Sequence, residues 1–138
     1  VAMGQRQFTT EELSFVSSLD ELPAANVAPL VLLSSVLQYL ESPDRTLAEV
    51  TSVRPSHLLI DRTPVSDLDE HRLCVQHVPE AIYAASYPCW ILSRTKLTTA
   101  LASAGFELVD DFDCREGSAR TDADLPFEFR GLWMEKKS

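Results

Sequence analysis

The apolar positions of this chain fall into short blocks separated by polar punctuation. Leu30 to Ser34 is a nearly continuous apolar run of strand length, the pattern of a strand covered on both faces. Ser42 followed by Pro43 reads as a helix N-cap with proline at the first helical position. Leu47, Val50 and Val53 then recur at spacing three, which predicts a helix stopped near Arg54-Pro55. His57 to Ile60 is a second buried strand, with Asp61-Arg62 at its carboxyl end. Strand, helix and strand in this order predict a βαβ unit, two parallel strands with a right-handed crossover.

The flanks are less regular. Leu13, Phe15 and Val16 predict a short strand, and Leu19 to Leu22 a single turn ending near Pro23. Arg72 to Val78 predicts an extended segment, and Tyr83 to Trp90 an irregular loop of small and aromatic residues. Ser93 caps a further helix with an apolar stripe of Leu97, Ala100, Leu101 and Ala104, and Gly105 suits its C′ position. Phe106 to Phe112 predicts a strand, Arg115 to Pro126 a polar connection, and Phe127 to Met134 a last strand. With no helix between them, the last two strands are expected to be antiparallel neighbours. The expectation is an α/β fold in one domain over residues 1–138: a mixed sheet of four or five strands, parallel strands plus a terminal antiparallel hairpin, with helices on both faces.

Composition narrows the function classes. The 138 residues, 45% hydrophobic and 24% charged, are those of an ordinary globular domain. A net charge of −9 argues against a nucleic-acid partner, which needs clustered Lys and Arg. The acidic excess, mainly at Asp67 to Glu70 and Asp110 to Asp124, reads as solvated surface. No apolar stretch is long enough to span a bilayer and no segment reads as a signal peptide, which predicts a cytoplasmic location. Cys74, Cys89 and Cys114 are far apart in sequence, and His57, His71 and His77 form no ligand pair. No metal site is expected, and a reduced compartment fits the cysteines, with Cys74 and Cys114 read as buried small hydrophobes. The four glycines, at positions 4, 105, 117 and 131, are dispersed, so no glycine loop cradles a phosphate.

Polar and aromatic residues follow the two buried strands, where open α/β sheets bind ligands. Asp61 and Arg62 either orient a substrate or cofactor there, or form an internal ion pair or turn cap beside Pro64. His77 is either a general base for an acceptor hydroxyl or a solvent-facing strand histidine. Tyr83, Ser86, Tyr87 and Trp90 either stack on a sugar ring as a flap or plug the sheet edge. Cys89 has no visible partner base to make it a nucleophile.

The order of elements resembles the carboxyl half of a class I S-adenosylmethionine-dependent methyltransferase, whose Rossmann-like sheet also ends in an antiparallel hairpin. The motifs narrow the resemblance. Val36 to Pro43, Asp61 to Asp67, Val75 to Trp90 and Ser93-Arg94 are similar to the VLQYLExP, DRTPVSD, VQxVPxxIYxASYPCW and SR segments of a methyltransferase-like family often associated with bacterial surface-polysaccharide loci. The likeness covers most of residues 13–114. It implies S-adenosylmethionine as cofactor, with Ser35, Gln38 and Tyr39 beside it. It also implies methyl transfer to a hydroxyl of a nucleotide- or lipid-linked sugar, with His77, Asp61 and Arg62 in catalytic positions and Tyr83, Ser86, Tyr87 and Trp90 around the acceptor. The family's glycine-rich turn and its first two strands have no counterpart here. The chain therefore reads as a carboxyl-terminal portion, expected to bind the cofactor weakly and to be inactive alone. The Leu30–Ser34 strand is then left with an open apolar edge. That predicts a homodimer through the edge, or coverage of it by the N-terminal segment. Two competing readings are a non-enzymatic dimeric module, and a small sugar- or nucleotide-binding protein that uses the aromatic loop.

Overall fold

The computed structural model describes residues 1–22 and 29–137. Helix α1 (Ala2–Gln7) opens the chain, and Phe15 folds back onto it. Gln5 Nε2 donates to the Phe15 carbonyl at 2.9 Å, and the ring lies so close over Gly4 that a Cβ there would come within 2.7 Å of it. This fold-back replaces the strand expected at Leu13 to Val16: Phe15 finds its apolar partner in α1 and not in the sheet. Leu19–Glu21 forms the expected single turn, capped by Ser18, whose hydroxyl accepts from the Asp20 amide at 3.2 Å. The stop near Pro23 lies outside the described residues.

The βαβ unit is present. Strands β1 (Leu30–Ser34) and β2 (His57–Ser66) are parallel, in register from Leu30 opposite His57 to Ser34 opposite Asp61. Helix α2 (Pro43–Ser52) connects them, with Ser42 as its N-cap, accepting from the Arg45 amide. Strand β2 does not stop at Ile60. It bulges at Asp61-Arg62 and continues through four buried residues, Thr63 to Ser66. The segments read as extended and as loop are strands β3 (Arg72–Val78) and β4 (Ala85–Ser93), an antiparallel hairpin. Strand β4 runs parallel to the far end of β2, pairing Val65 with Leu92 and Ser66 with Ser93. Helix α3 (Arg94–Ser103) follows, capped by Ser93 and ended by Gly105 at φ +87°. Strands β5 (Phe106–Arg120) and β6 (Pro126–Lys136) are the terminal antiparallel pair, longer than expected and joined by a turn of five residues, 121–125.

The sheet has six strands in place of four or five. Its spine runs β3-β4-β2-β6-β5, and β1 pairs with the first half of β2. Strand β6 lies between β2 and β5 and is antiparallel to both. Helices α2 and α3 contact each other, and Leu47, Val50, Leu97 and Leu101 join Leu33, Leu58, Ile60, Leu132, Met134 and Phe106 in one buried cluster. The opposite face of β1 carries Leu30 and Leu32, 44% and 56% exposed among the described residues. Cys74 and Cys114 are half-buried strand residues and not the fully buried hydrophobes expected.

Two polar devices lock the helices to the sheet. His71 Nδ1 accepts from the Ser93 amide at 2.8 Å, which leaves Nε2 to carry the hydrogen that bonds Asp44 at 3.0 Å. One imidazole therefore joins the N-termini of α2 and α3. Arg94 pairs with Asp111 and Glu128, and Arg130 pairs with Asp111 and Asp113, which ties the start of α3 to β5 and β6.

The bulge in β2 needs its own support. Arg62 and Ser35 adopt left-handed conformations, φ 52° and 55°. The Asp61 carbonyl accepts from the Ser35 amide at 2.9 Å and the Thr63 hydroxyl at 3.2 Å. The Arg62 carbonyl accepts from Gln38 Nε2 at 3.2 Å, and Gln38 is 1% exposed. Replacing Gln38 by the near-isosteric Met removes that donor without a large cavity. Gln38→Met is expected to destabilise the fold by less than the cost of the lost donor, about 1–3 kcal/mol, because the unpartnered Gln38 Oε1 is removed with it. The effect is read as a lower midpoint in urea unfolding with an unchanged slope.

Candidate functional site

A cleft of about 720 Å³ opens where the chain leaves β1 and passes the β3–β4 hairpin. One wall is the 3₁₀ turn Leu37–Tyr39 with Leu40 and Glu41. The other is the hairpin, through Leu73, Tyr83, Tyr87, Pro88 and Trp90. Three bonds and contacts hold the walls together. The Tyr39 hydroxyl donates to Gln76 Oε1 at 3.0 Å. The Tyr39 and Tyr87 rings meet edge to face, 5.5 Å between centroids. Trp90 Nε1 donates to the Leu40 carbonyl at 3.0 Å.

Gln38 connects this cleft to the bulge. Its Nε2 donates to Ser35 Oγ at 3.0 Å and to the Arg62 carbonyl. A carbonyl only accepts, so the amide nitrogen faces Arg62 and the orientation of the side chain is fixed. Its Oε1 is buried and has no hydrogen-bond partner among the described residues. A buried acceptor without a donor costs about 1–3 kcal/mol. The oxygen is sealed beneath the wall of the cleft and does not open into it.

The cleft thus gathers five of the residues singled out in the sequence: Gln38, Tyr39, Tyr83, Tyr87 and Trp90. The others are placed elsewhere. Asp61 accepts from the Ser34 hydroxyl at 3.0 Å and from the Cys114 thiol at 3.5 Å. Arg62 is exposed and pairs with Glu116 at 2.6 Å, so neither the Asp61–Arg62 ion pair nor a cleft-facing guanidinium is present. Ser35 supports the bulge. His77, exposed on β3, lines a second hollow of about 950 Å³ that it shares with Tyr39, Cys74 and Cys89. Ser86 stands opposite His77 and lines neither hollow. The sequence reading missed Leu73, a cleft residue whose only signal was its place in an extended segment.

The solved structures show what this fold is like. It is similar to the Burkholderia thailandensis 1,6-didemethyltoxoflavin-N1-methyltransferase solved with bound 1,6-didemethyltoxoflavin and S-adenosylhomocysteine, with a TM-score of 0.54 and 19% identity over 99% of this chain and 56% of that one. The shared feature is the fold, an α/β methyltransferase-type Rossmann-like sheet. This chain spans little more than half the length of that protein. No protein-family model and no curated protein matches the sequence. No helix among the described residues is long and apolar enough to cross a membrane.

Tyr87 is the cleft tyrosine with a shifted titration. The Tyr87 phenol is pushed up to about 12 from 10.0, chiefly by hydrogen bonding to Tyr83 and then by burial. The raised value means that the protonated form is favoured in the fold. Its stabilisation is full below the unfolded value near 10 and is lost as pH rises through about 12. In an ultraviolet tyrosinate titration Tyr87 should ionise late, and Tyr83→Phe should bring it back toward the ordinary range.

Proposed function

We propose that this chain is the carboxyl-terminal portion of an S-adenosylmethionine-dependent methyltransferase that O-methylates a sugar or a related small acceptor in the cytoplasm. The observation that carries the reading is the sheet. It places an antiparallel β6 between β2 and β5, the fold as a whole is similar to that of a small-molecule methyltransferase, and the aromatic cleft opens beside the carboxyl end of β1. Methyl transfer requires in-line approach of the acceptor to the sulfonium, so positioning carries most of the catalysis. In this reading Tyr39, Tyr87 and Trp90 stack on the acceptor ring. Ser35, Gln38 and Tyr39 lie on the cofactor side. His77 lines the neighbouring hollow and takes no part at the cleft, and Asp61 and Arg62 act through the bulge that positions Gln38. The chain alone binds cofactor weakly.

The test is a pair of titrations on one sample. Nucleotide-sugars should quench Trp90 fluorescence saturably in a Trp133→Phe background, and Tyr39→Ala should abolish the effect. Calorimetry with S-adenosylhomocysteine then separates the alternatives. Micromolar binding means a cofactor site within these residues. No binding from a folded sample, together with no quenching, would sink the enzyme reading.

A second reading, a dimeric module without chemistry, is favoured by one observation. Among the described elements β1 is paired on one side only, and Leu30 and Leu32 stand exposed on it. A hydrophobic open edge is a template for another strand. Light scattering should then give the mass of a homodimer, and Leu32→Lys should reduce it to that of a monomer.

A further inference from the structure

Cys74 and Cys89, fifteen residues apart in sequence, stand directly opposite each other across β3 and β4. Both thiols are free and half-buried, and both line the 950 Å³ hollow beside Tyr39. Directly opposed residues in an antiparallel pair hold their Cβ atoms about 4.5–5.5 Å apart. A disulfide wants about 3.5–4.5 Å between Cβ atoms and about 4.4–6.8 Å between Cα atoms. The bridge therefore needs rotation of two side chains and a small closing of the rung, with no rearrangement of the sheet. The two sulfurs already feel each other: the Cys89 thiol is pushed up to about 11, first by burial and then by the charge of Cys74. The third cysteine is differently placed, on β5, where its thiol bonds the Asp61 carboxylate.

We propose that Cys74 and Cys89 are a reversible dithiol–disulfide site, oxidised by low-molecular-weight disulfides of the glutathione type. The Cys74 thiolate attacks one sulfur of the small disulfide, forming a mixed disulfide and releasing one small thiol. Cys89 then gives its proton to solvent and attacks the Cys74 sulfur, releasing the second. Two S–H bonds are lost and one S–S bond forms. Two electrons and two protons pass to the small disulfide, which leaves as two thiols. Burial of Cys89 slows the second attack, because the thiolate is the nucleophile. It also disfavours reopening, because reduction must release a poorly stabilised thiolate.

The rung has a structural neighbour on each side. Gln76 and Tyr87, the next pair on the same face of the hairpin, hold Tyr39. Leu73 and Trp90, the adjacent pair, line the cleft. Oxidation thus stiffens one wall of the cleft from within, whatever that cleft binds.

The experiment is incubation of the chain with excess oxidised glutathione, then alkylation, digestion and mass spectrometry. The expected product is lighter by two hydrogens, carries a peptide cross-link between Cys74 and Cys89, and leaves Cys114 open to alkylation. Dithiothreitol should reverse it, and the oxidised chain should melt at a higher temperature than the reduced one. Cys89→Ser should leave a stable glutathione adduct on Cys74 in place of the cross-link, and Cys74→Ser should leave Cys89 largely unmodified. Glutathione adducts on the unsubstituted chain without the internal bridge, no reaction at either cysteine, or a bridge that uses Cys114 or a second chain would each overturn the proposal. The cross-link map of the unsubstituted chain decides the matter even if a serine variant fails to fold.

Discussion

Two carbonyl groups in the middle of β2, those of Asp61 and Arg62, set the terms for the rest of the molecule. Strand β2 pairs with β1 as far as Asp61 and with β4 from Val65 onward, while β6 follows its other edge. The changeover requires a bulge, and the register with β6 shifts between Ile60 and Thr63. A bulge leaves backbone groups outside the ladder. Here they lie next to fully buried residues, where an unsatisfied carbonyl costs about 1–3 kcal/mol. The chain solves this by bringing the segment after β1 back against the bulge. The Ser35 amide takes the Asp61 carbonyl and the Gln38 amide takes the Arg62 carbonyl. The same two bonds fix the 3₁₀ turn that carries Tyr39, so the need to satisfy a bulge also places one wall of the cleft.

The other wall is held by a separate set of contacts. Trp90 reaches from β4 to the Leu40 carbonyl, and Tyr39 bonds Gln76 on β3. Beyond the hairpin, His71 joins Asp44 to the Ser93 amide, so the helix that follows β4 starts at a fixed point relative to α2. Arg94, next in sequence, enters the ion cluster with Asp111 and Glu128. Gly131 contributes by having no side chain. The Phe112 ring lies where a Cβ would sit, at 2.1 Å, and this close contact seals β5 against β6. The cleft is therefore bounded by elements with their own anchors.

Much of the scaffold was legible in the sequence because it follows local rules. The apolar run of β1, the Ser42-Pro43 start of α2, the Ser93 cap and the Gly105 stop all act within a few residues. What escaped depends on partners far along the chain. Thr63-Pro64 reads as a strand end because proline lacks an N–H. Yet Pro64 falls between the last residue paired with β1 and the first paired with β4, a stretch of that edge without a strand partner. Tyr83 to Trp90 reads as a loop because Ser86, Pro88 and the small residues obscure its alternation, and only pairing with β3 makes most of it a strand. Leu13 to Val16 has strand composition but finds α1 first. The facing of Cys74 and Cys89 is a property of register, which no spacing of cysteines reveals.

The candidate site was legible in part for a related reason. Position at the carboxyl end of a strand singled out Asp61 and Arg62, and position alone does not say which way a side chain is committed. Asp61 accepts from Ser34 and Cys114, and Arg62 pairs with Glu116, so both serve the sheet. The aromatic residues were better guides, because large rings in a short hairpin must pack on something, and here Tyr39 and Trp90 pack across a gap. A shared sheet at 19% identity says how the strands are ordered, and chemistry depends on the few groups that remain uncommitted at its edge. Beside this cleft the buried group without a partner among the described residues is Gln38 Oε1, an acceptor oriented by the bonds its own nitrogen makes. Satisfying the bulge through the nitrogen of Gln38 thus leaves the oxygen of the same amide unpaired, so the cost of the bulge is moved into the wall of the cleft and not removed.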